Sequence, residues 1–173
     1  QLVAAMNPCR CGMAGEPGHT CARGPRCRTD YQARISGPLL DRIDIRIDVP
    51  AVQAGDLIRP GVSETSATVA ARVERARRMQ RERYREMGRS DIRTNSQCST
   101  SLIETVAAPD AGGQSLLSEA AEKLKFSARA YHRILKVART LADLDGADTV
   151  GRIHLAEAIS YRVASEQTSA VAA

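Results

Sequence analysis

A chain with no tryptophan and a single phenylalanine, Phe126, cannot build its core around large aromatic rings. Its apolar side chains are Leu, Ile, Val and a great many Ala, which suit closely packed helices, so a mostly helical fold is the first expectation. The 173 residues suffice for one medium domain or two small ones, and 43% hydrophobic residues with 26% charged ones argue against disorder throughout. No run of 18 apolar residues occurs, which excludes a transmembrane helix. The opening residues lack the basic, apolar and small-residue regions of a secretory signal. The chain starts without Met, on Gln1-Leu2-Val3-Ala4-Ala5, and this opening reads as a buried strand in a piece cut from a longer protein.

Four of the five cysteines crowd into residues 9 to 27, together with Gly12, Gly15, Pro17, Gly18, Gly24 and Pro25, and that density of breakers predicts an irregular loop. A short helical segment is expected over about 30 to 41, interrupted at Gly37-Pro38. Ile43 to Val49 alternates apolar and charged residues strictly, the pattern of a strand with one buried face, and Pro50 ends it. Ser63 and Thr65 offer N-caps to a long helix running to about Met87 before Gly88. Its apolar stripe would be Val69, Val73, Ala76, Gln80, Tyr84 and Met87. Further helices are expected at about 100–107, 114–124, 127–145 and 149–164, followed by a frayed Ala-rich tail.

The net charge is +5, and only three of the 25 basic residues are Lys, namely Lys123, Lys125 and Lys136. An Arg bias suits phosphate recognition, because the guanidinium stays charged and binds phosphate bidentately. A genome rich in G and C would produce the same bias. An odd number of cysteines argues against a disulfide framework and for the cytoplasm. Cys9, Cys11, Cys21 and Cys27 could surround one zinc ion, with His19 as a fifth candidate. Neither end of the loop shows the C-x-x-C spacing usual in structural zinc sites, so a polar loop with free thiols stands beside zinc. Cys98, far along the chain, reads as a small buried hydrophobe.

Three stretches together resemble one known family. They are Leu2-Val3-Ala4-Ala5-Met6-Asn7-Pro8-Cys9, then Ser36-Gly37-Pro38-Leu39-Leu40-Asp41-Arg42-Ile43-Asp44, then Ser127 to Thr140 followed by Leu141-Ala142-Asp143-Leu144. The set is similar to the magnesium-chelatase-like AAA+ ATPases of bacteria, the group of competence protein M, over nearly the whole chain from Gln1 to about Arg162. The resemblance implies part of an α/β P-loop NTPase. The last strands of the ATPase core would lie in 1–50 with a cysteine loop at 9–28. A connection and Arg-rich helix would occupy 51–92, a helical lid 93–165 and a flexible tail 166–173. The chain contains no G-x-x-x-x-G-K-[ST] phosphate loop and no acidic Walker B strand end, so by itself it is expected to be inactive toward ATP.

What the resemblance implies for individual residues follows from that fold. Asn7 resembles sensor 1, which orients the attacking water from a rigid strand end; it could instead cap the turn before Pro8. Arg42 resembles the arginine finger given to a neighbouring subunit's ATP; its plain alternative is a salt bridge with Asp41 or Asp44. Arg129, in the first turn of a helix capped by Ser127, resembles sensor 2, and Arg133 one turn later is the runner-up. Each could also be a solvated surface Arg. His132 and His154 read as structural or exposed, and Lys136 and Arg139 as lining an outer helix surface.

The function so implied is the C-terminal half of a ring motor, a hexamer of identical subunits using ATP and Mg2+, with zinc as a further candidate. It would act on DNA in branch migration during DNA uptake and recombination. A magnesium-inserting chelatase subunit is the second reading, although the chlorophyll enzymes lack this cysteine loop. A stand-alone zinc-bearing nucleic-acid module is the third. The Arg-rich helix from Arg72 to Arg85 could contact DNA, but Glu74 with Arg78 is a favourable i,i+4 pair and no aromatics interleave the charges, which suits a solvated linker.

Overall fold

The computed structural model describes residues 1–12, 20–21, 23–24, 26–50, 52, 55, 58 and 63–163. Helix α1 (Arg26–Gln32) follows the cysteine loop, and the single turn α2 (Gly37–Leu40) comes next. Gly37-Pro38 therefore starts a helical turn rather than interrupting one. Ser36 caps it, and Pro38 falls in the first turn, where its missing N–H costs no hydrogen bond.

Residues 63–163 form a helical bundle. Helix α3 (Ser66–Glu86) is capped by Thr65, whose hydroxyl accepts from the Thr68 N–H at 3.2 Å. A short 3-10 turn at Asn95–Gln97 leads to α4 (Thr100–Val106), α5 (Ala111–Leu124), α6 (Ala128–Asp145) and α7 (Arg152–Val163). Ser99, Asp110 and Ser127 cap α4, α5 and α6 by accepting from the backbone N–H three residues on. Gly146 ends α6 in the left-handed region that lets a helix stop. Helix α6 is the hub, packed against α3, α4 and α7, while α5 packs on α7. The apolar core between them includes Ile103, Leu117, Ile134, Leu135, Ala138, Ala142, Val150, Leu155 and Ala158. None of the described helices is long and apolar enough to cross a membrane.

Three further expectations are corrected. The first concerns strands. Among the described residues no strand forms, and the one β contact is an isolated parallel bridge between Pro109 and Val150. Leu2 and Val3 are 71% and 85% exposed, and Ile47 and Val49 are 71% and 87% exposed, so neither apolar run is buried. Alternation encodes a strand only where a neighbouring strand can accept its backbone groups. No such neighbour exists among the described residues, and Arg46 N–H bonds instead to the Tyr161 carbonyl of α7 at 3.0 Å. Second, only Ala76, Gln80 and Tyr84 of the α3 stripe are buried; α3 meets the bundle through its C-terminal half, leaving Val69 and Val73 exposed. Third, Arg139 does not line an outer surface but is 1% exposed, and Lys136 is half-buried, donating to the Ser96 and Cys98 carbonyls at 2.9 and 2.8 Å. His19 and the 166–173 tail lie outside the described residues.

Candidate functional site

The cysteine loop closes on itself through two tight turns. Gly12 N–H bonds to the Cys9 carbonyl at 3.1 Å, and Gly24 N–H to the Cys21 carbonyl at 2.9 Å, with both glycines at positive φ. Cys27 N–H then returns to the Gly24 carbonyl at 3.2 Å, which places Cys27 at the start of α1. Gln32 ties the end of α1 to the loop entry by donating to the Pro8 carbonyl at 3.3 Å. The result gathers the four sulfurs of Cys9, Cys11, Cys21 and Cys27 within 4.8 Å of one another, with Cys9 and Cys27 buried.

That geometry fits a divalent soft-metal site. Four sulfurs tetrahedral about a zinc at 2.3 Å stand about 3.8 Å apart, inside the observed envelope. Contacts of 3.0 Å for Cys9–Cys11 and 3.1 Å for Cys11–Cys21 are far too long for disulfides, and no disulfide joins any of the described cysteines. The hydrogen bond with Cys11 is the main cause that pushes the Cys21 thiol up to about 12. Metal binding requires deprotonated thiols, so a cation bound here would release protons. Asn7 is exposed at the entry of this loop, and a Cβ added to Gly12 would lie 4.0 Å from its side-chain nitrogen.

A second constellation joins the segment after α2 to the helical bundle. Asp41 accepts from Arg162 of α7 at 2.6 Å and from the Ser127 hydroxyl at 3.3 Å. Asp44 pairs with Arg133 on α6. Arg162 also donates to the Ile43 carbonyl at 3.2 Å, and Arg46 donates to the Arg162 carbonyl. Burial lowers the pKa of Arg162, and the charge of Asp41 opposes that shift. Arg42, between the two anchored aspartates, is exposed, and among the described residues its guanidinium donates only to the Pro38 carbonyl, at 3.1 Å. Its expected alternative partners are thus taken, Asp41 by Arg162 and Ser127, Asp44 by Arg133. Arg129 is exposed on the first turn of α6 and makes no side-chain hydrogen bond or ion pair among the described residues. The structure brings the Arg42 corner to the α6 N-terminus; no bond among the described residues ties Asn7 to either.

A third feature escaped sequence reasoning. Asp143 of α6 accepts from Gln80 at 3.1 Å, Asn95 at 2.8 Å, Arg139 at 3.1 Å and bidentately from Arg83. Tyr84 donates to Asn95 at 2.5 Å, and burial raises its pKa, aided by the Cys98 thiol at 3.0 Å. Arg139 donates its remaining N–H groups to the Ala147 and Asp148 carbonyls, at 2.5 and 2.7 Å. Burial lowers the Arg139 pKa while Asp143 supports its charge. This network staples α3, the 3-10 turn and the end of α6, and its i,i+4 Arg139–Asp143 spacing was the one signal available in the sequence. His154 is buried, accepting from Gly151 N–H at 3.0 Å with its other nitrogen 3.1 Å from Asp145; His132 bridges the Ala128 carbonyl and Glu104. Both are structural.

Residues 63–162 match the family model described as magnesium chelatase, subunit ChlI C-terminal, and residues 1–57 match that of magnesium chelatase, subunit ChlI. The chain is 41% identical over 164 residues to competence protein ComM of Haemophilus influenzae, which spans 94% of the chain and 30% of that protein. It is 37% identical over 167 residues to the uncharacterized protein YifB of Escherichia coli K12, again 94% of the chain and 30% of the relative. The uncharacterized protein Rv2897c of Mycobacterium tuberculosis is 35% identical over 162 residues, 94% of the chain and 31% of its own length. The chain thus spans under a third of the curated relatives it matches. With its helical C-terminal part matched from end to end, the chain belongs to the ComM/YifB group of magnesium-chelatase-like AAA+ ATPases.

Proposed function

We propose that this chain is the nucleotide-sensing C-terminal part of a ring-forming motor that acts on DNA, the whole protein using ATP and Mg2+. The observation that carries the reading is the docking of the Arg42 corner on the α6 cap, Asp41 to Ser127, with Arg42 and Arg129 both left exposed. In this reading 1–50 supplies the end of the ATPase core, 93–165 is the lid, and identical subunits form a hexamer in the cytoplasm. Arg42 is the finger that reaches a neighbouring subunit's phosphates, and Arg129 is sensor 2, aided by the positive end of α6. With Arg133 held by Asp44, the free Arg129 is the better sensor of the two. Asn7 is sensor 1, positioned by the turn into the cysteine loop. The four thiolates hold a structural zinc that keeps this loop closed.

The reading is tested in the full-length protein. Arg42→Ala should leave ATP binding intact and cut turnover by at least about 10³-fold, the size of finger effects in phosphoryl transfer. Rings mixed from Arg42→Ala subunits and subunits lacking the Walker lysine should regain activity, since each supplies what the other lacks. If mixed rings stay inactive, Arg42 does not act across an interface.

A further inference from the structure

The C-terminal half of α3 and the turn after it line an open, shallow groove of about 340 Å³ that the nucleotide reading does not use. Its walls carry Arg78, Arg81 and Arg85 from the helix and Arg93 from the turn, against one carboxylate, Glu82, over a buried Ile92. Residues 78, 81 and 85 recur at i, i+3 and i+7 and so share one helix face. Most neighbouring arginines are already engaged. Arg72 pairs with Glu64, Arg83 with Asp143, Arg89 with Asp91, and within the groove Arg81 with Glu74 at 2.7 Å. Arg78, Arg85 and Arg93 make no side-chain hydrogen bond or ion pair among the described residues, and all three are exposed. Three guanidiniums without a hydrogen bond or ion pair among the described residues thus line one concavity from two parts of the chain, only Arg78 feeling a carboxylate, that of Glu74.

We infer that this groove is a docking site for the sugar-phosphate backbone of duplex DNA. Arg presents a planar fork suited to phosphate, and a residual positive field around a concavity concentrates polyanions. Arg78 to Arg85 spans about 10.5 Å of helix at 1.5 Å per residue. One strand of a duplex carries a charge about every 3.4 Å along its axis, so roughly three phosphates fit that length. No aromatic side chain lines the groove, so bases have nothing to stack on and binding is independent of sequence. The inference deepens the proposed action on DNA and rests on it only for the identity of the polymer.

The test is fluorescence anisotropy of the 173-residue chain with labelled duplexes of unrelated sequence, from about 50 to 200 mM salt, without ATP. Three neutralised phosphates predict a salt slope shallower by about 2.7 in Arg78→Ala/Arg85→Ala/Arg93→Ala than in the parent, and roughly 10²-fold weaker binding at 0.1 M salt. The same three positions changed to Lys should keep most of the slope. Arg152→Ala, an exposed arginine on α7, is the single-charge control and should change little. A triple Ala variant that binds like the parent, with an unchanged helical spectrum, overturns the groove while leaving DNA action intact. A parent chain that binds no duplex at 50 mM salt also overturns it, without touching the mixed-ring result for Arg42. Full competition by micromolar pyrophosphate would make this a small-anion site and likewise overturn the proposal.

Discussion

Asp143 and Arg129 mark the two fates of charge in this bundle, one buried and fully partnered, the other exposed and uncommitted. Asp143 takes hydrogen bonds from Gln80, Arg83, Asn95 and Arg139, so replacing it with Ala leaves the buried Arg139 charge without its carboxylate. Removing one partner of a buried pair costs about 3–5 kcal/mol, and Asp143→Ala should lose that much in urea unfolding of the chain. An unchanged midpoint would show that the network contributes nothing net. Arg129 should behave in the opposite way. In the full-length protein Arg129→Ala should leave the unfolding midpoint in place while slowing ATP turnover by about 10²-fold, the usual size of losing one charge-stabilising donor. Arg133→Ala should do less to turnover, since its guanidinium is spent on Asp44. Equal kinetic losses at the two positions would remove the distinction drawn from their partners.

At the scale of elements, close helix packing makes the sharpest demand at Gly113 of α5. A Cβ there would lie 2.8 Å from the buried Leu155 Cδ1 and 3.1 Å from Pro109 Cβ, so α5 and α7 approach through the missing side chain. Gly113→Ala should therefore destabilise by about 1–3 kcal/mol, as overpacking does, despite the better helix propensity of Ala. A stabilised variant would mean that Leu155 simply turns away. The helices themselves were legible because their signals are local. Thr65 and Ser127 cap at the positions the sequence marked, and α4 and α6 run within a residue or two of expectation. The strand at 43–49 was not realised because pairing is a property of two segments, and alternation names only one. The polar network was hidden for the same reason: Asn95 and Asp143 meet across 48 residues. The four cysteines were visible as a candidate cluster, whereas the anchoring of Asp41 and Asp44, which leaves Arg42 exposed, required the fold.

Across the whole molecule, the thiol cluster and the bundle core are built from separate sets of residues. The core cluster runs from Tyr84 to Ile159 and contains none of Cys9, Cys11, Cys21 or Cys27. The loop, by contrast, has few apolar residues of its own, and its described part gathers the four sulfurs beside short turns at Cys9–Gly12 and Cys21–Gly24. A metal held there should then govern the loop without governing the bundle. Elemental analysis of the purified chain should give about one zinc per chain, because four thiolates complete a tetrahedral structural site. Cys27→Ser should release the metal and expose the chain near Arg23 and Arg28 to trypsin. The helical signal and urea midpoint of the bundle should move little, since its core has no contact to lose. Removing the metal from the unaltered chain with a chelator should reproduce that cleavage pattern, because the serine variant and the stripped protein lack the same cross-link. A metal-free chain whose loop resists trypsin as well as the loaded one would show that the turns suffice and that the sulfurs are packing groups. Collapse of the bundle on metal loss would instead join the two halves into one folding unit.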